Sequence, residues 1–156
     1  MNVDSVAEKA NSSRTRPSRD ATQAKLTRRS IAAQGIKPAD PVTIADRVEA
    51  QARQHGERPF LYYGDACYSY ADLDREANRF ANALSARGVR KGDVVALALE
   101  NRPAFYFAWF GAVKIGAVVA FLNTQIRGRP LSHAIASVAA RAVVLGEECL
   151  ENFVAT

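Results

Sequence analysis

Two cysteines and two histidines in 156 residues leave little material for metal or redox chemistry. Cys67 and Cys149 lie far apart with no partner at metal-ligand spacing, and both read as reduced, structural thiols. His55 and His133 likewise lack a Cys, His or carboxylate at ligand spacing, which argues against a metal site. His55 is expected to be exposed at a helix end, and His133 to cap or pack on a later helix. Glycine signatures of a phosphate cradle are missing: there is no G-x-G-x-x-G, and no G-x-S-x-G nucleophile turn. Gly111 and Gly116 have the outer spacing of a P-loop. However, Ala117 and Val118 stand where Lys and Ser/Thr would hold phosphate and metal, and the pair falls at a helix end. Residues 1–30 also lack the apolar run of a signal peptide.

Positive charge is present but unevenly placed. Residues 1–30 hold seven Lys/Arg against three Asp/Glu, and the remainder is nearly balanced. The body therefore carries no electrostatic footprint for nucleic acid, and no nucleic-acid partner is expected. Residues 1–40 read as a basic, solvated tail without fixed structure. The overall mix, 48% hydrophobic and 24% charged, is that of a soluble globular chain.

Order is expected from residue 41. Thr43 and Asp46 have capping-box spacing, with Ile44, Val48 and Ala52 on one helical face and Gly56 at its end. PFLYYGDACYSY (Pro59 to Tyr70) places two aromatic-rich runs around Gly64-Asp65, a hairpin pattern. Ser69 and Asp72 repeat the cap before a helix whose stripe is Leu73, Ala77, Phe80, Ala81 and Leu84, with Gly88 at a left-handed end. VVALAL (Val94 to Leu99), AVVAFL (Ala117 to Leu122) and AVVL (Ala142 to Leu145) are continuously apolar, as strands covered on both faces are. Helices from about Pro103 and from Pro130 separate them. The order is α/β: a βαβαβ parallel sheet unit preceded by a helix and a β-hairpin.

The segment from Ala104 to Leu122 carries one charge, Lys114, and approaches membrane-span length. Gly116 divides it, its second half is short and β-branched, and Lys114 would sit near mid-bilayer at a cost of roughly 2.5–3.5 kcal/mol. Helix, turn and strand explain the same residues, so no transmembrane helix is expected. Phe105, Tyr106, Phe107, Trp109 and Phe110 still leave that helix apolar on nearly every side, and 156 residues are expected to cover it too thinly. Asn123, Thr124 and Arg127 follow the end of a parallel strand, where open α/β sheets place ligands. The ordinary alternative is a polar loop satisfying its own backbone.

At these residues the chain resembles a known family. YSYADLDREANRFANAL (Tyr68 to Leu84) is similar to the opening core segment of the adenylate-forming synthetases, and KIGAVVAFLNT (Lys114 to Thr124) to their next one. KGDVVALALENRP (Lys91 to Pro103) matches between them. AWFGAVKIGAVVAFLNT (Ala108 to Thr124), followed by Arg127, Leu131 and His133, most resembles the fatty acid transport protein branch, the long- and very-long-chain acyl-CoA synthetases. Carnitine–CoA and other acid–CoA ligases share the Trp-Phe-Gly stretch and remain an alternative.

The resemblance implies that residues 41–156 are the incomplete N-terminal portion of an AMP-binding domain. The family's reaction joins a fatty acid to coenzyme A through an acyl-adenylate, using ATP and Mg2+. Its phosphate loop ending in Lys, Tyr-x-x-Thr-Glu motif, ribose-binding Asp and C-terminal-domain Lys do not occur here. No residue is therefore carried over as catalytic, cofactor-binding or metal-binding, and the chain is expected to be inactive alone and to bind none of these cofactors. A non-catalytic lipid- or protein-binding module is the second expectation. The expected setting is cytoplasmic, with peripheral membrane contact left open.

Overall fold

The computed structural model describes residues 18–35 and 41–155. The chain divides into two units between Pro41 and Val42.

The first unit contributes helix α1 (Arg19–Gln34), where a tail without structure was expected. Most of its residues are Ala, Arg, Lys, Gln or Leu, the strongest helix formers. Ser18 Oγ accepts the Ala21 N–H at 3.1 Å, satisfying one of the free amides of the first turn. None of its residues is buried. The remainder of the expected tail lies outside the described residues.

The second unit opens with α2 (Ile44–His55), capped as expected. Thr43 Oγ1 accepts from Asp46 N, and Asp46 Oδ2 accepts from Thr43 N at 2.7 Å. Its buried face runs through Ala45 and Val48, while Ile44 is half exposed. The inward stripe therefore starts one residue later than the 44/48/52 pattern suggested. Strands β1 (Pro59–Tyr63) and β2 (Ala66–Ser69) pair antiparallel around Gly64, whose φ of +57° suits a residue without a side chain.

Ser69 ends β2 and caps α3 (Tyr70–Ala86), with Asp72 reaching back to the Ser69 N–H at 2.9 Å. Leu73, Ala77, Ala81 and Leu84 are buried along one stripe. Gly88 follows at φ +82°, the left-handed stop expected of it.

The remaining elements are β3 (Val94–Ala98), α4 (Pro103–Lys114), β4 (Val118–Phe121), α5 (Gly128–Val138) and β5 (Ala142–Leu145). A 3-10 turn (Glu147–Cys149) and α6 (Leu150–Val154) complete the described part. The sheet order is β4-β3-β5, both pairings parallel, with Val95 opposite Val119 and Ala142. This is the βαβαβ unit that the three apolar runs imply. Helix α5 begins at Gly128, two residues before Pro130.

Only β3 is covered as a continuously apolar strand should be, with Val95 to Leu99 buried. Val118 and Phe121 on β4 and Val143 on β5 remain 40–55% exposed, because each edge strand has a neighbour on one side only.

Helix α4 corrects a second expectation: the chain does cover it. Phe107, Ala108, Phe110, Gly111 and Ala112 are buried, and Phe105, Tyr106 and Trp109 partly so. The cover comes from three sides. Helix α3 approaches so closely that a Cβ on Gly111 would lie 2.7 Å from the Ala77 carbonyl oxygen and 2.6 Å from Phe80 Cβ. Hairpin residues Phe60 and Tyr68 meet Tyr106 and Phe107 edge to face, both at 5.6 Å, a favoured aromatic geometry. Phe121 of β4 stacks on Phe105 at 5.3 Å. Gly111 is thus a helix-contact residue and Gly116, at φ +74°, a helix stop. No helix of the described residues is long and apolar enough to cross a membrane.

Lys114 ends α4 with 7% of its side chain exposed. Its Nζ donates to Glu49 Oε1 of α2 at 2.6 Å and to Asp74 Oδ1 of α3 at 2.8 Å. The single charge in the aromatic segment therefore ties three helices together.

Candidate functional site

In a parallel sheet every strand delivers its following loop to the same end. Where consecutive connections leave on opposite sides, those loops part and open a crevice. Here β3 leads out to β4 on one side, and the chain then returns past β3 to β5 on the other. At the carboxyl ends lies a cleft of about 660 Å³. Glu100, Asn101 and Arg102 after β3 line it, with Asn123, Thr124 and Gln125 after β4 and Glu148 after β5. Tyr63, Phe105 and Phe121 supply an aromatic wall.

Glu148 holds the two central loops together. Its Oε1 accepts the Glu100 N–H at 3.0 Å, and its Oε2 pairs with Arg102 Nη1 at 3.0 Å. The Glu100 amide, the Glu148 backbone amide and the Arg102 charge hold this carboxyl below the usual carboxylate range. Gly146 N donates to Ala98 O at 2.9 Å, continuing the β3–β5 ladder to the edge of the cleft. The Glu148 carboxylate lies over Gly146, in space that a side chain there would occupy.

Of the residues singled out in sequence, Asn123 and Thr124 line the cleft and Arg127 does not; Arg127 is the exposed cap of α5. The loop also satisfies its own backbone, with Asn123 Oδ1 accepting the Gln125 N–H at 2.9 Å. His133 is exposed on α5, its Nε2 3.4 Å from Ser137 Oγ. His55 is half-buried at the end of α2, not exposed. Cys67 is exposed, Cys149 is buried, and neither is in a disulfide. Burial pushes the Cys149 thiol up, with the charges of Glu148 and Glu100 adding to the effect, as for an inert thiol. Arg102 and Glu148 escaped the sequence reading; the signal that finds them is topological, since β5 must first be placed beside β3.

The cleft does not fit a nucleotide triphosphate by itself. Arg102 is already neutralised by Glu148, and the Glu100 carboxylate adds negative charge where phosphates need donors. Among the described residues no group of three or more His, Cys, Asp or Glu could hold a metal ion. What the cleft offers is an aromatic wall facing neutral amides and a hydroxyl.

Residues 48–155 match the family described as AMP-binding enzyme, and the chain belongs to that family. It is 39% identical over 115 residues to human long-chain fatty acid transport protein 6, covering 73% of this chain and 19% of that one. It is 37% identical over 119 residues to the medium/long-chain-fatty-acid–CoA ligase FadD6 of Mycobacterium tuberculosis, covering 76% of this chain and 20% of that one. Its fold is similar to the N-terminal domain of FACL13 from the same organism, with a TM-score of 0.68 and 29% identity. That match covers 73% of this chain and 30% of the other. The chain thus spans about a fifth of the length of the curated relatives it matches. The adenylate-forming family and the α/β fold expected from Tyr68–Leu84 and Lys114–Thr124 are both met.

Proposed function

We propose that the chain is the N-terminal part of a ligase that consumes ATP to join a long- or very-long-chain fatty acid to coenzyme A. The observation that carries this reading is the 39% identity over 115 residues to a long-chain fatty acid transport protein. The likeness to a fatty-acid–CoA ligase over nearly the same length points the same way. In this role the chain's residues are scaffold. Strands β3 and β4 deliver the cleft loops, Glu148 fixes the Glu100–Arg102 loop, and the Lys114 cluster anchors the helices behind them.

On this reading the isolated chain is inactive, and the donors for the transferring phosphate come from the rest of the enzyme. The protein works in the cytoplasm, where the exposed thiol of Cys67 stays reduced.

The test is a chimera in which residues 42–156 replace the matching segment of the mycobacterial ligase. The chimera is expected to support fatty-acid-dependent ATP–pyrophosphate exchange and acyl-CoA formation, and the isolated chain to support neither. A folded chimera inactive with palmitate and longer acids would overturn the reading. So would robust exchange by the isolated chain.

A further inference from the structure

We draw no further inference here: the strongest candidate, the open edge of the parallel sheet at β4, where Val118 and Phe121 are exposed, is an unpartnered apolar face, and nothing in the structure shows what covers it.

Discussion

Replacing Lys114 by Met is the most informative single perturbation of this fold. The thioether keeps the length and apolar stem of the lysine but removes the ammonium that bridges Glu49 on α2 and Asp74 on α3. Two charge-assisted hydrogen bonds are lost. Against that, the ammonium no longer has to stay dehydrated at 7% exposure. The stranded carboxylates are 38% and 27% exposed, so water recovers part of their solvation. The net loss is expected to be about 1–3 kcal/mol, below the 3–5 kcal/mol of a fully buried pair. In urea this appears as a midpoint lower by roughly 1 M at unchanged slope. A double-mutant cycle with Asp74→Asn should return a coupling above about 0.5 kcal/mol; strict additivity would refute the bridging argument.

The pH dependence carries a sign of its own. Burial, the largest influence on the Lys114 ammonium, pulls its pKa down. The hydrogen bonds to Asp74 and Glu49 together outweigh burial and hold the pKa above the ordinary lysine value. A group whose folded pKa is raised contributes fully below its unfolded pKa and loses that contribution as pH rises through the folded value. The difference between wild type and Lys114→Met should therefore be flat from neutrality to about pH 10 and shrink only beyond it.

Three further outcomes follow from other contacts. The Asp72 carboxyl is held at about 2 by the Ser69 backbone amide, then the Ser69 hydroxyl and Arg75. Asp72→Asn should cost about 1 kcal/mol in thermal or urea unfolding at neutral pH. That difference should fade as acid protonates the wild-type carboxyl between pH 4 and 2; a gap that persists below pH 2 would refute the cap as its source. Gly111→Ala forces α3 and α4 apart at the Ala77 carbonyl and should destabilise by about 1–3 kcal/mol, despite alanine's better helix propensity. A neutral or stabilising result in urea unfolding would mean that the helices part easily. Glu148→Ala removes the acceptor of the Glu100 N–H, and that amide should exchange with solvent about ten-fold faster or more by NMR. Unchanged protection would show that the latch does not order the loop.

Much of the architecture was legible because its signals are local. Ser69 with Asp72 and Thr43 with Asp46 announce their caps within four residues, and Gly64 and Gly88 mark backbone turns that other residues adopt only under strain. Three apolar runs separated by helices left few alternatives to a parallel sheet. The errors came where distant parts of the chain decide. Helix α4 looked impossible to cover because its partners, Phe60, Tyr68 and the Ala77 stretch of α3, are distant in sequence. Ile44 and Ala45 are adjacent apolar residues, and only the position of the neighbouring helix selects which one is buried. The cleft was half visible: Asn123 and Thr124 were found from the strand they follow. Arg102 and Glu148 were missed because their pairing depends on β5 lying beside β3. Helix α1 went unread because its charge pattern also describes a solvated tail.

The strand order has a consequence for how the chain is made. Strand β3 emerges first of the three yet ends in the middle, with β4 on one edge and β5 on the other. Once α4 and β4 have left the ribosome, one side of β3 can zip up within a short loop. The second edge stays open, with its apolar residues Val95 to Ala98 unpaired, until Ala142–Leu145 appears. During that interval the nascent chain carries a template for pairing with any other extended segment nearby. Nonsense or proteolytic ends falling between Phe121 and Ala142 should therefore aggregate more readily than ends beyond Leu145, which leave β3 paired on both sides.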